Sequence, residues 1–116
     1  MTTQIKFMHP QLGRGRATLA VQVDQNGRFV RYNFALCSPK DRFVRKLGRA
    51  IAEGRLRKAS YDTGLADHEN PREEAYCDFL CLLLGGSGKF PSWAVRAAKR
   101  ELRALREPPK IDGPTV

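Results

Sequence analysis

Apolar and polar residues alternate through "RATLAVQVDQNGRFVRYNFAL", residues 16–36, on both sides of Asn26-Gly27. A period of two predicts two half-buried strands. Asn-Gly is the pair that best tolerates the positive φ angles of a two-residue type I′ turn, so the segment reads as a hairpin. The turn sets the register: Val23 faces Val30, Val21 faces Tyr32, Leu19 faces Phe34 and Ala17 faces Leu36. All four apolar pairs then fall on one face, so turn chemistry and pattern agree. "QIKFM", ahead of His9-Pro10, is a candidate third, outer strand, with "QLGRGR" as a loop.

The period then changes. Ser38-Pro39-Lys40-Asp41 carries an N-cap, a proline at the first helical position and an acid, and predicts a helix ending at Gly54. On a wheel of about 100° per residue, Phe43, Leu47, Ala50 and Ile51 form its apolar side, opposite Arg42, Arg45, Lys46 and Arg49. Gly48 weakens it but permits a close approach. Residues 61–69 read as a polar, acidic loop. Asn70-Pro71-Arg72-Glu73 repeats the start signal for a helix reaching about Leu84, apolar almost all round and therefore central. "GGSGK" predicts a turn, and a third helix runs from about Pro91 to Arg106. Its inner stripe is Ala94, Val95, Ala98, Leu102 and Leu105; its outer face holds Arg96, Lys99, Arg100, Arg103 and Arg106. Strands first and helices afterwards predict an α+β domain over 1–106, with an N-terminal antiparallel hairpin and three helices packed on one face. Residues 107–116 are expected to form a flexible tail.

At 116 residues, with 41% apolar and 28% charged, the chain is one soluble domain. Its net charge of +9 favours an anionic partner. That charge is segregated. Residues 40–58 hold eight basic residues and two acids, and residues 89–106 hold six and one, whereas residues 62–78 hold six acids and one basic residue. Faces built for solubility alone mix signs. Nearly acid-free faces on two helices, if they point the same way, predict a groove for phosphates or an acidic surface. Its contacts would be Arg42, Arg45, Lys46 and Arg49 from the first helix, joined by Arg55, Arg57 and Lys58 after it, and Arg96, Lys99, Arg100 and Arg103 from the third. Trp93 lies off the inner stripe and reads as a boundary core residue or a partner anchor. Phe29, beside Arg31 and Asn33 on the outer hairpin face, could stack on single-stranded bases, unless another element covers that face.

Other chemistries find little support. "LLGGSGKFPS" puts Leu83 where a P-loop needs its first glycine and Phe90 where it needs a hydroxyl, and it follows a helix. Cys37, Cys77, Cys81, His9 and His68 have no metal-ligand spacing, and cysteines four apart on an apolar helix suit buried thiols. Three cysteines do not make a disulfide framework and fit a reducing cytosol. The acids Asp62, Asp67, Glu69, Glu73 and Glu74 with His68 show no nucleophile–base spacing, so no catalytic residues, cofactor or metal are expected. No signal-peptide or membrane-spanning stretch is evident, and no membrane partner is expected.

"FALCSPKDRFVRKLGRAIAEGRL", with the glycine-arginine loop and hairpin before it, resembles small uncharacterised proteins encoded by bacteriophages and prophages. The resemblance covers residues 5–56 and rests on Lys40-Asp41-Arg42-Phe43, Arg45-Lys46, Gly48-Arg49 and Gly54-Arg55-Leu56. It implies a protein of the bacterial host cytoplasm that acts by stoichiometric binding. One such role is a DNA- or RNA-associated accessory protein. The other is a small inhibitor of a host defence complex, of anti-CRISPR type.

Overall fold

The alternating segment becomes the middle of an antiparallel sheet. In the computed structural model, which describes residues 4–23, 30–63, 71–86 and 88–106, the strands are β1 (Ile5–Met8), β2 (Gln11–Leu12), β3 (Gly15–Val23), β4 (Val30–Cys37) and β5 (Tyr61–Asp62). Their order is β1-β3-β4-β5, with β2 also paired to β3. The β3–β4 register is the expected one, with Ala17 opposite Leu36, Leu19 opposite Phe34, Val21 opposite Tyr32 and Val23 opposite Val30. The Asn26-Gly27 turn and Phe29 lie outside the described residues, as do His68 and residues 107–116.

"QIKFM" supplies β1, the third strand. β2 continues its register along β3, so the supposed loop is a second hairpin with Gly13-Arg14 at its tip. Gly13 has φ +59° and no non-glycine residue has positive φ among those described, the pattern of a type II′ turn with glycine first.

The helices are α1 (Arg45–Lys58), α2 (Pro71–Gly85) and α3 (Ser92–Arg106). Class and order are those expected, α+β with strands leading. The placing of all three helices on one face is not. One sheet face, with Leu19, Val21, Val30, Tyr32 and Phe34, packs against Ala75, Phe79, Leu80 and Leu83 of α2 and Ala94, Ala97, Ala98 and Leu102 of α3. The alternate residues Ala20 and Ala35 turn the other way, onto Ala52 and Leu56 of α1, with Ile5 and Phe7 beside them. Hence the sheet is the middle of three layers. Alternation in β3 and β4 continues to small apolar residues on the second face, and that face also needs cover.

α1 departs furthest from expectation. Ser38-Pro39-Lys40-Asp41 makes a turn instead of a helix start: Asp41 N–H donates to the Ser38 carbonyl at 3.0 Å and Lys40 N–H to Ser38 Oγ at 3.2 Å. The helix begins at Arg45 and passes Gly54 to end at Lys58. Its buried side is Gly48, Ala52 and Leu56 at i, i+4, i+8, while Leu47 (58% exposed) and Ile51 (39%) face outward. Small residues let the helix sit close on the alanines beneath it. A Cβ on Gly48 would lie 2.4 Å from Thr18 Oγ1. Two bonds fix its far end: Arg55 Nη1 donates to the Phe34 carbonyl and Asn33 Nδ2 to the Ala59 carbonyl, each at 2.8 Å. Arg55 thereby covers the β4 edge beyond the end of the two-residue β5.

α2 and α3 start and stop close to the expected positions. Yet α2 is covered on one side only, and Cys77, Cys81 and Leu84 are exposed instead of buried. Leu105 of the expected α3 stripe is 55% exposed, and Ala97 takes a place in the core.

Candidate anion-binding groove

The buried side of α3 is mostly alanine, which seats the helix close against the sheet and the β2–β3 hairpin. Arg96, Lys99, Arg100 and Arg103, at i, i+3, i+4 and i+7, therefore share one exposed face. The hairpin tip meets this face. Gly13 packs directly against α3, with Arg100 Nη2 2.9 Å from where a Cβ would stand. Between tip and helix lies a groove of about 870 Å³, lined by Leu12, Gly13, Arg14, Pro39 and Trp93 together with the four α3 cations.

Among the described residues, five basic side chains line this groove and no carboxylate does. The ion pairs seen among the described residues, Arg31–Asp62 at 3.9 Å and Arg57–Glu53 at 3.6 Å, involve none of the five. Glu101, the one acid of α3, lines a separate recess on the other side of Arg100, with Gln11 and Ala97. Like charges held together give a concentrated positive potential, strongest for arginine forks that grip phosphate or carboxylate in pairs. Trp93 is half-buried, packed on the core, with its six-membered ring over Gly15 (a Cβ there would meet Cζ3 at 2.3 Å). It forms a rigid apolar wall of the groove.

The basic residues of α1 lie across the sheet from this groove and do not extend it. They do not form one surface even among themselves. Arg45 and Arg49 turn toward β1, where the Arg49 guanidinium lies 6.0 Å from the Phe7 ring centre. Arg55 is tied to the β4 carbonyl, Arg57 pairs with Glu53, and Lys46 and Lys58 are exposed. Arg42, in the loop before α1, lines a smaller groove of about 230 Å³ beside Phe43, Val44, Leu47 and Ile51. A joint groove between the first and third helices is thus replaced by one on α3 and the hairpin tip. Arg14 was absent from the sequence-based set, although Gly-X between two strands is itself a turn signal.

Elsewhere, the Tyr32 hydroxyl donates to the Asp78 carboxylate at the edge of the core. Burial, followed by that bond, pushes the Tyr32 phenol far above its ordinary range. A cleft of about 440 Å³ gathers Thr63, Glu73, Glu74, Cys77, Asp78 and Cys81. Partial desolvation against the cleft wall, then Cys81, Glu73 and Glu74 nearby, push the Cys77 thiol up, which makes it a poor nucleophile. Among the described residues, no group of three or more His, Cys, Asp or Glu is arranged to hold a metal ion, and no helix is long and apolar enough to cross a membrane. Comparison of the chain with protein-family models, curated proteins and solved structures finds no match.

Proposed function

We propose that this protein is a non-catalytic binding protein that takes the phosphate backbone of DNA or RNA in the α3 groove, acting stoichiometrically in the cytoplasm of a bacterial host. The observation that carries the reading is the convergence of Arg14, Arg96, Lys99, Arg100 and Arg103 on one groove, with no acid among its described lining residues. Phosphates displace the counterions that such a site gathers, and arginine forks hold their oxygens. The Trp93 wall offers a flat surface beside the backbone. Titration of labelled single-stranded and duplex oligonucleotides at low salt tests this. Arg96→Glu and Arg103→Glu are expected to abolish binding, whereas Lys46→Glu and Arg57→Glu, across the sheet, leave most of it. Binding lost through the α1 pair and kept through the α3 pair would move the site to the other layer.

One observation favours a second reading, a protein-binding inhibitor of a host defence complex in the manner of anti-CRISPR proteins. Val44 (46% exposed), Leu47 and Ile51 form an uncovered apolar stripe on α1, beside Arg42. Pull-down from a bacterial host with nuclease treatment separates the two. A partner lost on treatment supports nucleic acid. One retained with nuclease, and lost in Leu47→Asp, supports the inhibitor.

A further inference from the structure

The face of the sheet opposite the α3 groove carries a second basic cluster, built around a histidine. Because β2 continues the register of β1, His9 lies opposite Thr18, and its Nδ1 is 3.0 Å from Thr18 Oγ1. Phe43, from the loop before α1, meets the imidazole edge-on with ring centres 5.6 Å apart. The Arg16 guanidinium sits 5.2 Å over the Phe43 ring. Arg49 lies over Phe7, which shares the sheet face of His9 two residues earlier, and Arg45 is one turn before Arg49 on α1. Guanidiniums from two elements, Arg16 over Phe43 and Arg49 over Phe7, thus sit over the aromatic rings beside one imidazole, with Arg45 one helical turn away.

Among the described residues no carboxylate is paired with them. The first turn of α1 holds no acid, and its N-cap, Val44, makes no side-chain cap bond, so free N–H groups add to the positive potential. Glu53, one turn beyond Arg49, is engaged by Arg57. Asp41 lines a groove with Thr18, Cys37 and Phe43, and neither ion pair seen among the described residues joins it to Arg16, Arg45 or Arg49. On β1, Lys6 alternates to the other sheet face. Among the described residues, the charged groups that act on His9 are therefore Arg16, Arg45 and Arg49.

We infer that His9, Arg16, Arg45 and Arg49 form a binding site for one phosphoryl dianion, separate from the α3 groove. A tetrahedral oxyanion relieves the repulsion among three arginines and offers each of them an acceptor. With Nδ1 engaged by Thr18, Nε2 is the imidazole nitrogen left for the anion. The inference does not rest on the nucleic-acid reading, because the sheet separates the two sites.

The site is also a proton sensor. Burial, then Arg45, Arg49 and Arg16, hold the His9 imidazole below its ordinary 6.5. An anion among the arginines cancels their field and moves the imidazole pKa upward. By linkage the anion then binds more tightly as pH falls through that range.

Sulfate is the probe of choice, since it stays doubly charged where phosphate itself titrates. The His9 ring is followed by NMR from pH about 5 to 8, in sulfate and in chloride of equal ionic strength, with His9→Gln assigning its signal. The expected result is a His9 midpoint about one pH unit higher in sulfate than in chloride, lost in Arg45→Ala/Arg49→Ala. Those two side chains are exposed, so the fold survives their removal. A mononucleotide that binds more tightly than inorganic phosphate would identify the phosphoryl group as a nucleotide's; equal binding would identify phosphate alone. Identical His9 midpoints in the two salts would overturn the inference, whatever the α3 groove binds.

Discussion

Replacing Gly48 and Gly54 of α1 by alanine, one at a time, sets local propensity against tertiary packing within a single helix. Propensity predicts equal gains of up to about 1 kcal/mol, since glycine costs that much in a helix interior. Packing predicts opposite signs. At Gly54 nothing lies within 4 Å of an added Cβ, so Gly54→Ala should keep its gain of about 0.5–1 kcal/mol. At Gly48 the new Cβ meets Thr18 Oγ1 at 2.4 Å and Thr18 Cβ at 3.1 Å. Thr18 is fully buried and β-branched, and its hydroxyl is held by His9, so it cannot swing aside cheaply. Overpacking of this kind costs about 1–3 kcal/mol, which outweighs the propensity gain and leaves Gly48→Ala destabilised by about 1–2 kcal/mol. Urea unfolding at constant slope measures both, with the two midpoints displaced in opposite directions from the parent. Thr18→Ala in the Gly48→Ala background should recover about 1 kcal/mol through the pairwise coupling. Equal stabilisation by the two glycine replacements would refute the docking of α1 through Gly48, Ala52 and Leu56. With it would fall the assignment of Arg45 and Arg49 to the His9 side.

Gly15→Ala should be more damaging than Gly48→Ala, by about 2–3 kcal/mol, because its Cβ meets the Trp93 ring at 2.3 Å and the Cys37 carbonyl at 2.8 Å. The chain has one tryptophan, so a red-shifted emission reports that the groove wall has moved. Tyr32→Phe leaves the half-buried Asp78 carboxylate without its donor and should cost about 1–3 kcal/mol, read by the same unfolding assay. At high pH the signs are fixed by Tyr32, raised far above 10.0, and Tyr76, which burial and then Glu101 push up to about 12. Above the ordinary value of 10.0 the unfolded chain releases phenol protons that the folded chain keeps, so their contribution is intact below that pH and falls as pH rises. Tyr76→Phe should flatten the loss of stability between pH 10.0 and about 12, leaving the part due to Tyr32.

The hairpin was legible because two independent signals, alternation and Asn-Gly, required the same register. α2 was legible from its proline start, its long apolar run and the glycines that end it, and α3 from a proline start and a strong helical period. α1 was misread for a physical reason. A wheel weighs side chains by hydrophobicity, and so favours Phe43, Leu47 and Ile51, but a helix lying on Ala20 and Ala35 docks through Gly48 and Ala52 because they are small. The Ser38-Pro39 signal is real, yet its capping bonds close a turn and no more. In the groove, the α3 arginines followed from periodicity. Arg14 needed the β2–β3 turn, and the separation of α1 from α3 needed both faces of the sheet.

The salt dependence of oligonucleotide binding tests the account most directly. Five groove cations, each neutralising up to one phosphate, predict a log–log slope of about −3 to −4 for a single strand. Arg96→Ala/Arg103→Ala should weaken binding and make that slope shallower by about 1.5, while Lys46→Ala/Arg57→Ala leaves it unchanged. A parent protein that binds no oligonucleotide at low salt, or a slope indifferent to the α3 pair, would contradict the groove as the nucleic-acid site.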